Sequence, residues 1–477
     1  MKIKIIHYLM VVGILFFAFP ASAFAHGFGQ RIDLPLPVSL YLIGAGVVVA
    51  ASFVLISFIR HKEKEIDNYP RYNLLRIGWI RKLSESVLLQ TCIKTLFVLI
   101  LGLIVVAGFI GKQNAAFNIA PTLVWIYFGV GITYFSVLFG NIWGFINPFK
   151  TLYEWLEKVV GRLSSEKPWP ARLGVWPAFL SFLAYRWVEN VNPSASTPGY
   201  LANLVLLYSI ITFAGMLYFS KNTWLKYGDP FSVFFRYLSR FSITESRVID
   251  GHKEFNLRPP AVGILNRDEK IDISVIAFVL FMLASVSFDG VKVTPFWSQL
   301  STSIHQLGFS SMVVGTIGLL LLFALFVGVY FAFTLFVSFF SKRGENTLSI
   351  ARSLIFSLLP IAIVYELAHF VTLLFIDGQR LISLISDPFG FGWNLLGTAD
   401  YKINYQLINL KSLWNAQVVL IVLGHVIAVY IAHIIALYMF KDRRVAVRSQ
   451  YPMLVLMVSY TMLGLWILAQ PIVIGLE

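Results

Sequence analysis

The sequence predicts an all-α fold: a polytopic integral membrane helix bundle of about ten transmembrane helices, with two further amphipathic helices lying at the interface. Three observations lead there. Hydrophobic residues make up 58% of the 477 positions and charged ones only 13%, whereas about a quarter of a soluble domain is charged. Apolar runs near the ~20 residues needed to cross a bilayer recur along the whole chain. The basic residues behind the formal charge of +14 gather in alternate loops, which reads as membrane topology and not as a nucleic-acid footprint.

The first segment combines Lys2 and Lys4, an apolar run from Ile5 to Phe19, Pro20 and then Ala23-Phe24-Ala25. This order predicts a cleavable signal peptide over residues 1–25, with an uncleaved first helix as the alternative. Residues 26–477 then form a single polytopic membrane domain whose mature N-terminus, His26, lies outside the cytoplasm. Ten apolar runs follow, at 36–59, 88–110, 118–143, 173–189, 200–219, 272–288, 310–340, 351–376, 415–440 and 450–472. With His26 outside, most of the 38 Lys and Arg fall in inner loops, while the outer segments hold Arg31, Lys112, Lys292, Arg380, Lys402 and Lys411. The positive-inside rule is satisfied by this count of spans. It places the chain in a bacterial inner membrane with both mature termini periplasmic or extracellular.

Two inner loops share a pattern. Ile132-Thr-Tyr through Trp143 to Asn147-Pro148-Phe149 parallels Ile211-Thr-Phe through Trp224 to Asp229-Pro230-Phe231, which suggests an internal repeat over 88–163 and 173–242. The rival explanation is a shared N-cap signature without duplication. Asn147 and Asp229 suit helix N-caps and the prolines suit the first helical position. Phe149, Leu152, Trp155, Leu156 and Val159 would form one apolar face, and Phe231, Phe234, Phe235, Leu238 and Phe241 the other. These are the two expected interfacial helices.

The residues that can carry chemistry lie in the eighth and ninth runs. An ionisable side chain inside a membrane is costly, and usually faces a bundle interior, a polar cavity or a bound ion. Glu366 and His369 stand three apart on one helical face. His425 and His433 stand eight apart, roughly 12 Å along an axis. Counted from the outer helix ends, Glu366 and His425 share a depth of roughly 15 Å, so Glu366, His369 and His425 would converge if the two helices pack. Gly424, Ala428, Ala432 and Ala436 form a small-residue strip that permits such packing. Three readings stay open: a divalent metal (zinc, iron or copper) or haem held by His369, His425 and Glu366 with His433 nearby; an interhelical hydrogen-bond network; and a proton or substrate path. A second metal candidate is His26, whose α-amino group and imidazole can chelate copper, with His305 as a further ligand.

The outer loop that follows runs through Asp377, Arg380, Asp387, Trp393 and Asp400. It is long, aromatic and glycine-rich, as substrate-facing lids are, and as interfacial anchors also are. Arg186 and Glu189 read as a local i,i+3 ion pair. The single cysteine, Cys92, excludes an intrachain disulfide or a thiolate cluster. No P-loop, HExxH or dinucleotide fingerprint occurs.

Several blocks resemble a family of bacterial multispanning membrane proteins, fenitrothion hydrolase. They are His26-Gly-Phe-Gly-Gln-Arg31 with Asp33-Leu-Pro-Leu-Pro, the Asn147-Pro148 segment, Phe288-Asp-Gly290 to Thr294-Pro-Phe-Trp297, and Asp377-Gly-Gln-Arg-Leu-Ile to Trp393-Asn-Leu-Leu-Gly-Thr398. The resemblance implies a membrane enzyme that hydrolyses an organophosphate triester, a small apolar substrate. A metal that activates water would suit that reaction, with His369 and His425 as ligands and Glu366 as ligand or base. Two other functions stand beside it: a non-hydrolytic metal- or haem-binding redox protein, and a transporter or membrane assembly factor.

Overall fold

Two helices in the middle of the chain are enclosed by protein on nearly all sides, and the others are arranged about them. In the computed structural model, which describes residues 37–58, 69–249, 251–266, 270–341, 346–440 and 442–470, the long apolar helices are α1 (Val38–Phe58), α3 (Val87–Ile110), α4 (Ile119–Phe139), α8 (Pro198–Phe219), α11 (Ile273–Val291), α13 (Ser311–Ser341), α14 (Thr347–Phe375), α16 (Leu410–Met439) and α17 (Arg443–Leu468). Shorter ones are α2 (Gly78–Glu85), α5 (Trp143–Ile146), α6 (Pro148–Val160), α7 (Trp176–Val191), α9 (Lys221–Tyr227), α10 (Pro230–Leu238), α12 (Pro295–His305) and α15 (Arg380–Ser386). The signal segment, His26, Arg31 and the first resembling block as far as residue 36 lie outside the described residues.

The most apolar window of α11 is 89% buried, as is that of α14, against 11% for α13 and 17% for α3. Helices apolar all round belong in the interior or against lipid, and an enclosed helix can carry charge away from both water and lipid. Around α11 pack α7, α13, α14 and α17, while α14 also meets α4 and α16. Asp272 caps α11 by accepting from the Val275 amide, and Asn346 caps α14 by accepting from Leu348. Pro360 has no N–H for the preceding turn, and α14 passes that point through a 3₁₀ turn at Ile355–Leu358.

The nine long helices match nine of the ten expected spans. The tenth, expected over 173–189, is α7 over Trp176–Val191, only 16 residues long; at ~1.5 Å per residue it reaches about 24 Å. Helical order begins there at Trp176-Pro177, and the expected start at 173 falls in the turn before it.

Asn147 and Asp229 cap α6 and α10 as their sequence suggested: Asn147 Oδ1 accepts from Phe149 and Lys150, and Asp229 Oδ2 accepts from Ser232. Both capped segments follow a break at positive φ, +97° at Gly140 and +95° at Ser220. The packing of α10 departs from that of a surface helix. Phe231, Phe234, Phe235 and Leu238 are all buried, with Phe234 stacked on Phe182 of α7 at 4.9 Å. An apolar face covered by aromatic protein side chains has no need of lipid. α6 is intermediate, with Phe149 and Tyr153 buried while Leu156 and Val159 are exposed. Among the short helices, α2 leaves its apolar face free: Trp79 and Leu83 are exposed beside Arg81 and Lys82.

A three-stranded antiparallel sheet, β1 (Tyr72–Asn73), β2 (Thr244–Ile249) and β3 (His252–Leu257) in order β1-β3-β2, joins two loops expected to be cytoplasmic. Glu245 ties it together. It accepts from Tyr69 Oη at 2.7 Å, Arg71 Nε at 2.6 Å and Arg258 at 3.0 Å. Burial alone would raise its carboxyl, but the hydrogen bonds from Tyr69 and Arg71 and the charges of Arg258 and Arg71 hold it below its ordinary range.

Candidate functional site

Three helices, α7, α11 and α14, bring charged side chains together inside the bundle. Arg186 of α7 has two carboxylate partners: it donates to Glu189 one turn away at 2.7 Å, and to Glu366 of α14. Arg186 and Glu366 are 4% and 3% exposed, so this ion pair is screened by neither water nor lipid headgroups. Phe182, Tyr185 and Phe370 surround the guanidinium at 5.5–5.9 Å. The cavity beside it, lined by Glu189, Glu366, Phe128 and Phe231, is about 10 Å³, room for a single water.

One turn further along α14, His369 donates from Nε2 to Asp289 Oδ2 at 2.7 Å. A carboxylate only accepts, so the neutral imidazole carries its hydrogen on Nε2 and leaves Nδ1 as the basic atom. The other Asp289 oxygen accepts from Lys292 at 2.6 Å. Lys292 also donates to Asn190 Oδ1 at 3.0 Å, and Asn190 Nδ2 donates to the Arg186 carbonyl at 3.0 Å. The two ion pairs are therefore one network. It holds two cations, Arg186 and Lys292, against three carboxyl groups, Glu189, Glu366 and Asp289, with the His369 imidazole hydrogen-bonded to Asp289.

The backbone of α14 is held in register by neighbours. Gln417 of α16 donates to the Ala368 carbonyl at 2.8 Å, and Tyr134 of α4 donates to Leu367. A Cβ added at Gly424 would lie 2.3 Å from Val364, so the small-residue strip of α16 does bring α14 and α16 into contact at the expected place. That contact does not bring their ionisable groups together. His425 donates from Nδ1 to the Ile421 carbonyl of its own helix at 2.8 Å, and its ring lies 6.0 Å from Tyr460. His433 donates from Nδ1 to Gln450 Oε1 at 3.1 Å. Among the described residues no three His, Cys, Asp or Glu side chains stand where they can share a metal ion. His425 and His433 thus make their hydrogen bonds outside the network that holds Glu366 and His369, and His26 falls outside the described residues.

The loop between α14 and α16 is organised by its own hydrogen bonds. Asp387 accepts from the Phe391 and Gly392 amides at 2.9 and 2.7 Å, and Trp393 packs against Phe389 at 5.5 Å. Asp377 lies 3.6 Å from Arg380; burial pushes its carboxyl up and Arg380 opposes the shift. Asp400 is exposed. The loop is fastened to the start of α4 and the turn before it, through Phe389 to the Lys112 amide and Pro388 to the Ile119 amide.

A larger cavity of about 270 Å³ opens where α7, α11, α12 and α13 end or begin, lined by Asn190, Phe288, Lys292, Trp297, His305 and Ser311 among others. From sequence, Asp289 entered only within the Phe288–Gly290 block and Lys292 only as a basic residue of an outer segment; neither they nor Asn190 were read as site residues. The sixth apolar run stops at Phe288 when judged by hydropathy, but the helix continues to Val291 and carries Asp289 into the bundle.

Long apolar helices wrapped about an enclosed pair, with ionised side chains turned inward, define a multispanning helical membrane protein in contact with a lipid bilayer. No family model matches the chain, nor does any curated protein or solved structure.

Proposed function

We propose that this protein is a proton-coupled membrane carrier and that the network of Arg186, Glu189, Glu366, Asp289, Lys292 and His369 is its proton-binding centre. One observation carries the reading: three carboxylates face two fixed cations on three packed helices. A proton at His369 Nδ1 balances that count and its release unbalances it, which alters the attraction between α7, α11 and α14. Intramembrane ionisable groups in such clusters mark ion and proton pathways. For the ten-span topology we place α7 as a short crossing, which keeps the basic loops on the cytoplasmic side of a bacterial inner membrane.

A second reading has an observation of its own. Asp289 orients His369 so that Nδ1 is a general base, the arrangement that activates a hydroxyl or water in acyl and phosphoryl hydrolysis. With the resemblance to fenitrothion hydrolase, it suggests hydrolysis of a phosphotriester: water oxygen bonds to phosphorus, Nδ1 takes its proton, and the nitrophenolate leaves. Redox chemistry at a metal or haem has no comparable set of donors among the described residues.

The test measures proton uptake by weakly buffered, detergent-purified protein after an acid pulse, and nitrophenolate release from a nitrophenyl phosphotriester, for wild type and His369→Gln. Fewer protons taken up by the variant, with no turnover by either protein, supports the carrier. Turnover by wild type that His369→Gln abolishes, with folding intact, replaces the carrier with the hydrolase. Equal proton uptake by both proteins refutes the proton-binding centre.

A further inference from the structure

Lys292 ends the charged network on one side and lines the 270 Å³ cavity on the other. Its ammonium has three N–H donors, of which one goes to Asp289 and one to Asn190. The third remains for a group in the cavity. Around it the wall divides in two. Ser301, Ser311 and His305 are polar, and His305 is oriented by donation from Nδ1 to the Phe309 carbonyl at 2.8 Å. Ser311 opens α13, a 31-residue helix whose first turn adds a positive partial charge. The rest of the lining is apolar, with Val191, Val314, and Phe288 set edge-on to Trp297 at 5.2 Å. Trp297 is held in place, since a Cβ on Gly318 would fall 2.1 Å from its ring.

We infer that this cavity binds a small organic anion, a carboxylate with an aromatic or aliphatic body, and that the anion is the solute carried together with the proton. The inference rests on the carrier reading and names its substrate class. A carboxylate at Lys292 competes with Asp289 for the ammonium. Asp289 then interacts more strongly with His369, and a proton on Nδ1 offsets the added negative charge. His369 faces Asp289 of α11, which also pairs with Lys292, and Tyr365 and Glu366 of its own helix; Arg186 and Glu189 of α7 stand behind Glu366, and Tyr460 of α17 and then His425 of α16 stand beyond Tyr365. Lys292 connects this set with the cavity through Asp289, and Asn190, which also lines the cavity, connects it through the Arg186 carbonyl.

The experiment is calorimetric titration of detergent-purified protein with sodium benzoate, and with benzamide as its neutral counterpart, in two buffers of different ionisation enthalpy. Wild type is compared with Lys292→Met, with Ser301→Leu, which fills the cavity from outside the network, and with His369→Gln. The expected result is benzoate binding with proton uptake and little benzamide binding. Affinity should fall on the order of tenfold or more in Lys292→Met and in Ser301→Leu, since a charge-assisted contact and the space for the ligand are lost. His369→Gln should bind benzoate without proton uptake. No benzoate binding by a wild type whose acid-pulse uptake still depends on His369 overturns the anion site and leaves the carrier standing. Equal binding of benzamide, or binding unchanged in both cavity variants, also overturns it. Benzoate binding through Lys292 with no His369-dependent proton in either experiment retains the site and overturns the coupling.

Discussion

Replacing Arg186 with Met removes one charge and strands two. Methionine approximates the length of the aliphatic stem and keeps contact with Phe182, Tyr185 and Phe370, so the loss is mainly electrostatic. Glu366, 3% exposed, would have no cation within hydrogen-bond reach among the described residues, and Glu189 would lose its only one. Breaking a buried ion pair from one side costs about 3–5 kcal/mol, because the remaining charge is left without solvent or partner. Arg186→Met should therefore be among the most destabilising single changes in the chain. Glu366→Gln should cost less, since the amide oxygen still accepts from Arg186 and Glu189 still balances the guanidinium. The double variant Arg186→Met/Glu366→Gln removes the stranded carboxylate, so it should be more stable than Arg186→Met by about 1–3 kcal/mol, the coupling expected of directly bonded neighbours. The assay is equilibrium unfolding in mixed micelles, followed by tryptophan fluorescence. An Arg186→Met protein within about 1 kcal/mol of wild type, or a double variant whose loss is the sum of the singles, would refute the argument that this pair is buried and dry.

Other expectations follow from the same structure. Gly424→Ala should destabilise by about 1–3 kcal/mol, since its Cβ would stand 2.3 Å from Val364 and the helices must part; the measurement is a melting curve in detergent. Asn147→Ala should cost about 1 kcal/mol of cap energy in the same assay. Glu245→Gln should weaken the sheet, most readily seen as faster proteolysis at 244–257. Its carboxyl is held below the ordinary value, so the stabilisation is present above the unfolded value of about 4.3 and lost as pH falls through the folded one. The gap between wild type and Glu245→Gln should accordingly close in acid. In a Cys92→Ser background, His252→Cys and Lys402→Cys should react with an impermeant maleimide from opposite sides of the membrane; labelling from the same side would refute the ten-span topology.

Much of the bundle was legible because crossing a bilayer requires long apolar runs, and the N-caps of Asn147 and Asp229 were legible because capping is local. The Arg186–Glu189 pair, three residues apart, could also be read. The partner of Glu366 could not. Depth along a helix follows from counting residues, but azimuth depends on how helices turn against each other. Glu366 is turned toward α7, His369 toward α11, and His425 bonds to its own helix. Asp289 was missed because hydropathy ends a span where a charge appears, although a charge with partners can lie inside. The hairpin had a signal in Asp250-Gly251 between two alternating runs, set in a loop read only for its charge. The burial of α10 was hidden because the same phenylalanines would suit lipid or protein.

Arg186 and Glu366 are 180 positions apart, and a membrane protein is inserted in the order it is made. At roughly 5–20 residues per second, Arg186 waits on the order of 10–40 s before Glu366 is synthesised. An arginine at the centre of an isolated helix costs about 2.5–3.5 kcal/mol on insertion scales. Glu189 is made within a second and meets Arg186 on the same helix face, so α7 can be inserted as a neutral unit and hold its place until α14 arrives. Glu189 thus balances Arg186 from the time α7 is made, and Glu366 joins the pair when α14 is in place.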